Sequence, residues 1–230
     1  MKNTTVERML QSQGFGTRRE CRSLVLDGRV TLNGEPCDDP QQRISPEGLP
    51  FTVDDENWVC HEKVYLMLHK PAGYECSRLP TYHPSVFALL PPQLVARGVQ
   101  CVGRLDEDTT GLLLLTDDGQ FIHAMGSGKR KVPKVYEVTI KHPMSDAQIT
   151  QLLAGVQLHD EPEPVTASAC ERIDEQHIRL TLTSGKYHQV KRMVAAVENR
   201  VEALHRSVVG EWTLPPDLPI GKWQWIHPQT

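Results

Sequence analysis

Two short apolar runs constrain the fold of this 230-residue chain more than any other feature. Residues 64–68 and 112–115 are continuous apolar stretches, as expected of strands that are buried on both faces. Apolar side chains alternate with others around Tyr136 and around Leu180, which predicts two further strands. Helical spacing occurs elsewhere, but it does not alternate regularly with the strands. The pattern therefore predicts an α+β fold rather than a parallel α/β fold.

The first sixty residues have the pattern of a small separate module. Thr17 and Glu20 have the spacing of a capping box at the start of a helix. The pair Asn33-Gly34 predicts a tight hairpin between two short strands. A short polar stretch that suits a linker follows. The predicted domains are residues 1–58 and residues 60–230.

Charge is distributed unevenly along the chain. The net charge of −4 argues mildly against a nucleic-acid partner. Basic side chains nevertheless cluster in three places, which are Arg18, Arg19 and Arg22, the run at residues 128–134, and Lys186, Lys191 and Arg192. A local basic face can bind phosphate whatever the total charge, although each cluster alone is also typical of a solvated surface.

Two sequence patterns are missing, and this narrows the class of protein. No apolar run approaches the length that crosses a bilayer, and no apolar signal segment opens the chain, so we expect a cytoplasmic protein without membrane contact. The six cysteines include no Cys-x-x-Cys pair, which predicts reduced thiols rather than a zinc ribbon or a redox motif.

The most informative segment is the polar loop at residues 103–112, Gly-Arg-Leu-Asp-Glu-Asp-Thr-Thr-Gly-Leu. Asp106 precedes a buried strand, a position from which a carboxylate can act in a cleft. Asp, Thr and Gly together are also typical of a simple turn. Asp106 and Asp108 could suggest a metal pair, but no further ligand has a suitable spacing, so we expect no metal.

This loop resembles the signature of the pseudouridine synthases of the RsuA and RluA type, Gly-Arg-Leu-Asp-x-x-Thr-x-Gly-Leu. Residues 5–54 are similar to the S4-type RNA-binding domain that precedes the catalytic domain in many members. Further agreement with the family is found at residues 68–74, 134–136 and 185–193. Residues 155–160 and 204–206 resemble the RsuA branch, which contains the small-subunit ribosomal RNA enzymes.

The resemblance implies a fold and a reaction. The fold is an S4-like RNA-binding domain followed by a catalytic domain whose mixed, largely antiparallel central sheet is flanked by helices. The reaction isomerises a uridine of small-subunit (16S) ribosomal RNA to pseudouridine: the N1–C1′ bond breaks, the uracil rotates and C5 joins C1′. The target base must leave its stack to be reached. Nothing is oxidised and no phosphate is transferred, so no cofactor is expected.

The resemblance also implies roles for single residues. Asp106 is the essential carboxylate, which attacks C1′, attacks C6 or removes a sugar proton. Lys191 is the cation that keeps Asp106 charged, and Tyr136 is a flat surface for the uracil. Without the resemblance, Lys191 would be interpreted as a solvated lysine and Tyr136 as a core residue.

Ribosomal RNA is the expected partner, and we expect the protein to act as a monomer. The predicted RNA-binding residues are Arg18, Arg19, Arg22, Arg104, Lys129, Arg130, Lys131, Lys134 and Arg192. Three alternatives stay open at this point. They are a large-subunit ribosomal RNA enzyme of a sister branch, a non-catalytic RNA-binding or ribosome-assembly protein, and a glycosidase that uses Asp106 and Asp108.

Overall fold

The computed structural model describes residues 2–126 and 130–228. These residues form two compact units. The first unit contains the chain up to Tyr65 together with Leu90–Gln100 and Thr116–Asp118. The second unit contains Leu66–Leu89, Cys101–Leu115 and the chain from Gly119 onward.

The elements of the first sixty residues are short. In chain order they are β1 (Thr4–Thr5), α1 (Val6–Ser12), α2 (Arg18–Leu26), β2 (Val30–Leu32), β3 (Glu35–Pro36), β4 (Arg43–Ile44), β5 (Pro50–Val53) and β6 (Glu56–Val59). Strands β3, β2, β5 and β6 form an antiparallel sheet in that order, and β1 pairs with β4. Buried side chains of α1, α2, β2 and β5 form the apolar core of this part.

Local sequence signals explain the start of α2 and the turn between β2 and β3. The Thr17 hydroxyl accepts a hydrogen bond from the backbone N–H of Glu20 at 3.3 Å, and the Glu20 carboxylate accepts one from the Thr17 N–H at 2.6 Å. Asn33 and Gly34 both have left-handed backbone angles, with φ of 50° and 84°, and they join β2 to β3. Two residues with positive φ are typical of a tight hairpin turn. The predicted capping box and hairpin are therefore confirmed.

The rest of the chain contains longer strands. In chain order its elements are β7 (Tyr65–Lys70), a 3-10 helix (Val86–Leu89), α3 (Pro92–Ala96), β8 (Gln100–Val102), β9 (Thr110–Thr116), α4 (Gly119–Gly126), β10 (Lys134–Ile140), α5 (Asp146–Ala154), β11 (Ala169–Arg172), β12 (His177–Leu182), α6 (Gln189–Ala196), β13 (Val201–Val209), β14 (Trp212–Thr213) and β15 (Trp223–Trp225). None of the helices within residues 2–126 and 130–228 is long and apolar enough to cross a membrane.

One large sheet organises the second unit. Its strands lie in the order β11-β12-β10-β13-β9-β7-β15, with β14 beside β13 and β8 beside β9. Strand β10 pairs antiparallel with β12 and β13, whereas β13 pairs parallel with β9. The mixed, largely antiparallel sheet is therefore confirmed, together with the α+β class.

The two apolar runs of the sequence lie in β7 and β9, inside this sheet. Leu112, Leu113, Leu114 and Leu115 are all buried, as strands covered on both faces require. Because β9 begins at Thr110, the loop that carries the sequence signature leads directly into a central strand. The sheet therefore gives this loop a rigid support.

Helix α6 begins later than the sequence predicts. The pattern predicts a helix over residues 187–197, whereas α6 spans Gln189–Ala196. His188 has left-handed angles (φ 45°, ψ 36°) that a right-handed helix cannot contain, so the helix begins after it. The apolar face of the helix is buried as predicted, with Val190 and Met193 among its residues.

Candidate active site

A buried lysine holds the loop that contains Asp106. The side chain of Lys70, the last residue of β7, is completely buried. Its ammonium donates hydrogen bonds to the backbone carbonyls of Asp106 at 2.9 Å, Glu107 at 3.2 Å and Thr109 at 2.8 Å. It also donates to the carbonyl of Pro71 at 3.0 Å. Burial lowers the pKa of Lys70, but four carbonyl acceptors compensate for the lost water, so one cation fixes the backbone of the loop.

The Asp106 carboxylate contacts two side chains from the region of α6, those of Lys191 and His188. Its side chain is 25% exposed, and one oxygen lies 3.2 Å from the Lys191 ammonium. The other oxygen lies 3.2 Å from Nε2 of His188, a contact that is a hydrogen bond when Nε2 carries a proton. Lys191 also donates to both carboxylate oxygens of Asp108, at 2.7 and 2.8 Å. One ammonium is therefore shared by two carboxylates.

The contact between Lys191 and Asp108 shifts the pKa values of both groups. Burial acts to lower the pKa of Lys191, but the hydrogen bond to Asp108 and the charge of Asp106 outweigh burial, so this pKa lies above its ordinary value. Burial likewise acts to raise the pKa of Asp108, and the hydrogen bond and charge of Lys191 outweigh it, so this pKa is lowered. Lys191 therefore stays protonated and Asp108 stays ionised at neutral pH.

The backbone strain at His188 aims its ring at Asp106. A residue with a side chain adopts positive φ only at a cost in free energy, and His188 has a φ of 45°. The surrounding contacts therefore hold its backbone in a strained conformation. The ring stacks on Tyr187, with centroids 3.8 Å apart and an interplanar angle of 19°. Gln189 braces the turn, because its side-chain oxygen accepts from the backbone N–H of Lys186 at 2.9 Å and its amide donates to Ser184.

Three residues singled out by the sequence meet around one small cavity. Asp106, Tyr136 and Lys191 all line a space of about 60 Å³, which we call the reaction cavity. Tyr136 is a buried residue of β10, opposite Leu180 on β12 and Arg206 on β13. The central sheet thus supplies an aromatic ring, and the β8–β9 loop and α6 supply the charged groups.

A cysteine pair lies next to the same loop. The Cys76 sulfur accepts a hydrogen bond from the backbone N–H of Leu105 at 3.5 Å. A hydrogen bond from the Cys101 thiol also stabilises the charged form of Cys76, and against the effect of burial it lowers the pKa of Cys76 to about 7. The same pairing raises the pKa of Cys101. Cys76 is therefore the more acidic thiol of the two.

The basic residues predicted to bind RNA have different environments in the second unit. Arg104 is exposed and lines the reaction cavity. Arg130 and Lys131 are exposed, whereas Lys129 lies outside the described residues. Burial and the nearby charge of Arg206 lower the pKa of Lys134. Arg192 donates to the Tyr187 carbonyl at 3.2 Å.

Of the three arginines predicted to bind RNA in the small domain, Arg18 pairs with a buried carboxylate. Nε of Arg18 donates to Glu7 at 2.8 Å, and the Glu7 side chain is only 3% exposed. This hydrogen bond lowers the pKa of Glu7. Arg19 and Arg22 are exposed on α2. Arg18 therefore has a structural partner, and the other two remain open to a ligand.

The sequence did not identify three of the residues that shape this site. Lys70 is part of the Lys-Pro turn, but nothing in that turn indicates four carbonyl acceptors. His188 lies inside a predicted helix, and the helical pattern gives no sign that its ring contacts Asp106. Asp108 was considered only as a metal ligand or as the second acid of a glycosidase.

Known proteins are similar to this chain over most of its length. The family described as RNA pseudouridylate synthase matches residues 64–196, and the S4 domain matches residues 8–48. A protein of Yersinia pestis named ribosomal small subunit pseudouridine synthase A is 41% identical over 208 residues, which cover 90% of this chain and 86% of the relative. The protein of the same name from Escherichia coli K12 is 39% identical over 220 residues, covering 93% and 92%.

A solved structure is similar over almost the same length. The crystal structure of a pseudouridylate synthase matches with a TM-score of 0.68 and 33% identity, and the match covers 97% of this chain and 96% of that one. Fold and site together thus define an RNA-modifying enzyme. The chain belongs to the RNA pseudouridylate synthase family. It isomerises uridine to pseudouridine, as the sequence predicts, and the non-catalytic alternative is not favoured.

Proposed function

We propose that this enzyme isomerises a uridine of small-subunit ribosomal RNA, with Asp106 as the essential carboxylate. The observation that carries the proposal is the meeting of Asp106, Lys191 and Tyr136 around one cavity. The choice of small-subunit RNA is supported by relatives that are named for that subunit and match more than four fifths of their length.

The reaction needs an anion beside the ribose and a surface for the freed base. When C5 replaces N1 at C1′, the proton that C5 loses is balanced by the proton that N1 gains, so no cofactor is consumed. Asp106 supplies the anion, and Lys191 keeps it charged in a site that excludes water. Tyr136 supplies a ring against which the uracil rotates. Arg104, exposed beside Asp106, fills the space that the target base leaves in the RNA stack.

The small domain and the basic surface residues supply affinity. We propose that residues 1–58 bind RNA without chemistry and that residues 60–230 carry the reaction, a division supported by the S4 match at residues 8–48. Arg19 and Arg22 would contact phosphates from α2, and Arg130, Lys131, Lys134 and Arg192 from the second unit.

The proposed substrate also implies a location and an assembly state. Ribosomal RNA is made and modified in the cytoplasm of bacteria, the source of the relatives described above. We infer a monomer, because one chain supplies Asp106, Tyr136 and Lys191 to the same cavity.

The test compares ribosomal RNA from cells with and without this protein by mapping pseudouridine at single-nucleotide resolution. We expect one small-subunit position to lose its pseudouridine without the protein and to regain it with the wild type but not with Asp106→Asn. Loss of pseudouridine at a large-subunit position instead would assign the enzyme to the sister branch that modifies large-subunit RNA. Full restoration by Asp106→Asn would refute the role of the carboxylate.

A further inference from the structure

A second and larger cavity lies beside Asp106. It has a volume of about 460 Å³, within the range of about 300–1,000 Å³ that is usual for ligand sites. Arg104, Asp106 and His188 line both this space and the reaction cavity, whereas Tyr136 and Lys191 line only the reaction cavity. We call the larger space the flanking cavity. The shared residues make it continuous with the place where the target nucleotide reacts.

A turn closed by the carboxylate of Glu75 forms one wall of the flanking cavity. The Glu75 carboxylate accepts hydrogen bonds from three successive backbone N–H groups, those of Thr81 at 3.0 Å, Tyr82 at 2.8 Å and His83 at 2.9 Å. These bonds lower the pKa of Glu75, so the carboxylate stays charged and the turn stays closed at neutral pH. The Tyr82 side chain is left 88% exposed on a loop whose backbone is fixed.

Stacked rings form the wall nearer to Asp106. Tyr187 is 68% exposed although it is aromatic, and one face of its ring lies on His188. The left-handed backbone of His188 fixes that stack, because it sets the direction of both side chains. Exposed aromatic faces on a fixed backbone are platforms for unpaired bases, and every base has a face that can stack on them.

The charges of the flanking cavity favour a base over a phosphate. Glu75 and Glu107 both line it, and carboxylates repel a phosphodiester but not an uncharged ring. Arg104, the cation of the lining, lies on the wall shared with the reaction cavity.

We propose that the flanking cavity binds the unpaired base adjacent to the target uridine in the same RNA strand, stacked on the Tyr187–His188 pair. This inference rests on the proposed reaction cavity, and it extends the recognition of the substrate from one nucleotide to two. The enzyme then selects a uridine partly by whether its neighbour can leave the helix. Tyr82 closes the opposite side of the space over the bound base.

The first test uses the full-length protein on small-subunit ribosomal RNA. We expect Tyr187→Ala to raise KM by about tenfold or more, as loss of one base stack does, with little change in kcat. Tyr187→Phe keeps the ring and is expected to restore KM. Leu79→Ala is the control for loss of an exposed hydrophobic side chain, because Leu79 is 88% exposed on the loop that carries Tyr82 but does not line the cavity. Equal KM values for wild type and Tyr187→Ala would overturn the inference.

The second test removes the base rather than the ring. Short RNAs that contain the target uridine are made with an abasic residue on its 5′ or its 3′ side. We expect one of the two abasic RNAs to raise KM for the wild type and to have no further effect on Tyr187→Ala, since ring and base are one interaction. If the abasic residue and Tyr187→Ala raised KM additively, the inference would be contradicted. Failure of the proposed function is distinguishable, because it would leave the intact RNA without pseudouridine at any position.

Discussion

Lys191 binds Asp108 more closely than it binds Asp106, with N–O distances of 2.7 Å and 3.2 Å. The ammonium therefore divides its charge between a carboxylate that faces the reaction cavity and one that does not line it. Asp108 fixes Lys191 in place, and His188 supplies a second contact to Asp106. The site is a network of two acids and two bases rather than a single ion pair.

Single replacements of Asp106 and Asp108 by asparagine distinguish the roles of the two carboxylates. We expect Asp106→Asn to fold, bind RNA and lose about 10⁴-fold or more in kcat, because the reacting anion is gone. Asp108→Asn leaves that anion and removes only the second partner of Lys191, so we expect a loss below about tenfold. Single-turnover product formation on small-subunit RNA measures both. Equal losses in the two variants would show that the reacting carboxylate has been misassigned.

Removal of the cation changes the pH dependence. In Lys191→Met the hydrogen bond and the charge of Lys191 that lower the pKa of Asp108 are absent, so this pKa rises. Carboxylates that lose their cation are protonated at higher pH, so we expect the acid limb of the kcat/KM profile to move upward. Lys191→Arg keeps a charge and should keep the acid limb near its original position. An unmoved limb in a folded Lys191→Met protein would mean that Lys191 is not the cation that keeps the reacting carboxylate charged.

Lys70 supports the catalytic loop without reaching the substrate. Lys70→Met has a similar length but no donor, which leaves the carbonyls of Asp106, Glu107 and Thr109 without this partner. We expect the free energy of unfolding to fall by about 1–3 kcal/mol, the cost of a buried acceptor that loses its donor. The loss is not larger because the carbonyls of Asp106 and Glu107 keep the backbone N–H groups of Thr109 and Gly73 as donors. Urea denaturation gives the value. A change of only a few tenths would mean that water replaces the ammonium.

The acidity of Cys76 predicts its reactivity. A thiol with a pKa of about 7 is largely thiolate at pH 8 and is protonated at pH 6, so alkylation by iodoacetamide should accelerate through neutral pH. The Cys101→Ala variant loses the hydrogen bond that stabilises the thiolate, and the midpoint should rise. Cys21, a buried thiol whose pKa burial raises to about 11, is the internal control and should stay unmodified. Mass spectrometry of peptides follows each site.

Much of the fold could be predicted because its signals are local. A capping box involves residues three positions apart, a hairpin turn involves two neighbours, and a buried strand is a continuous apolar run. The prediction that Asp106 is the reacting carboxylate also has a local basis, because it rests on ten consecutive residues that resemble the family signature. Such features depend little on the rest of the chain.

The unpredicted parts of the site depend on contacts that are distant in sequence. Lys70 meets the Asp106 carbonyl across 36 positions, and a lysine after an apolar strand is usually an exposed strand end. The backbone of His188 departs from the helical pattern because its ring is held by Asp106 and Tyr187 rather than by local propensity. Tertiary contacts of this kind leave no periodic signal in the sequence.

The last prediction concerns RNA binding by the small domain, and it is best tested in the full chain. Arg97 donates to the side chain of Gln13 at 2.7 Å and to the carbonyl of His61 at 2.9 Å, so deletion of the first sixty residues would remove partners that the remaining chain uses. Point variants of the full chain are therefore the better test.

We expect the double variant Arg19→Ala/Arg22→Ala to raise KM on small-subunit RNA, to leave kcat nearly unchanged and to flatten the salt dependence of binding. Both side chains are exposed, so the fold should be unaffected. Arg18→Ala is the matched control on the same helix. It should instead lower the melting temperature, because the nearly buried Glu7 carboxylate loses its partner. Unchanged KM and salt slope in the double variant would mean that α2 is not an RNA-binding face, and the small domain would then have a structural role.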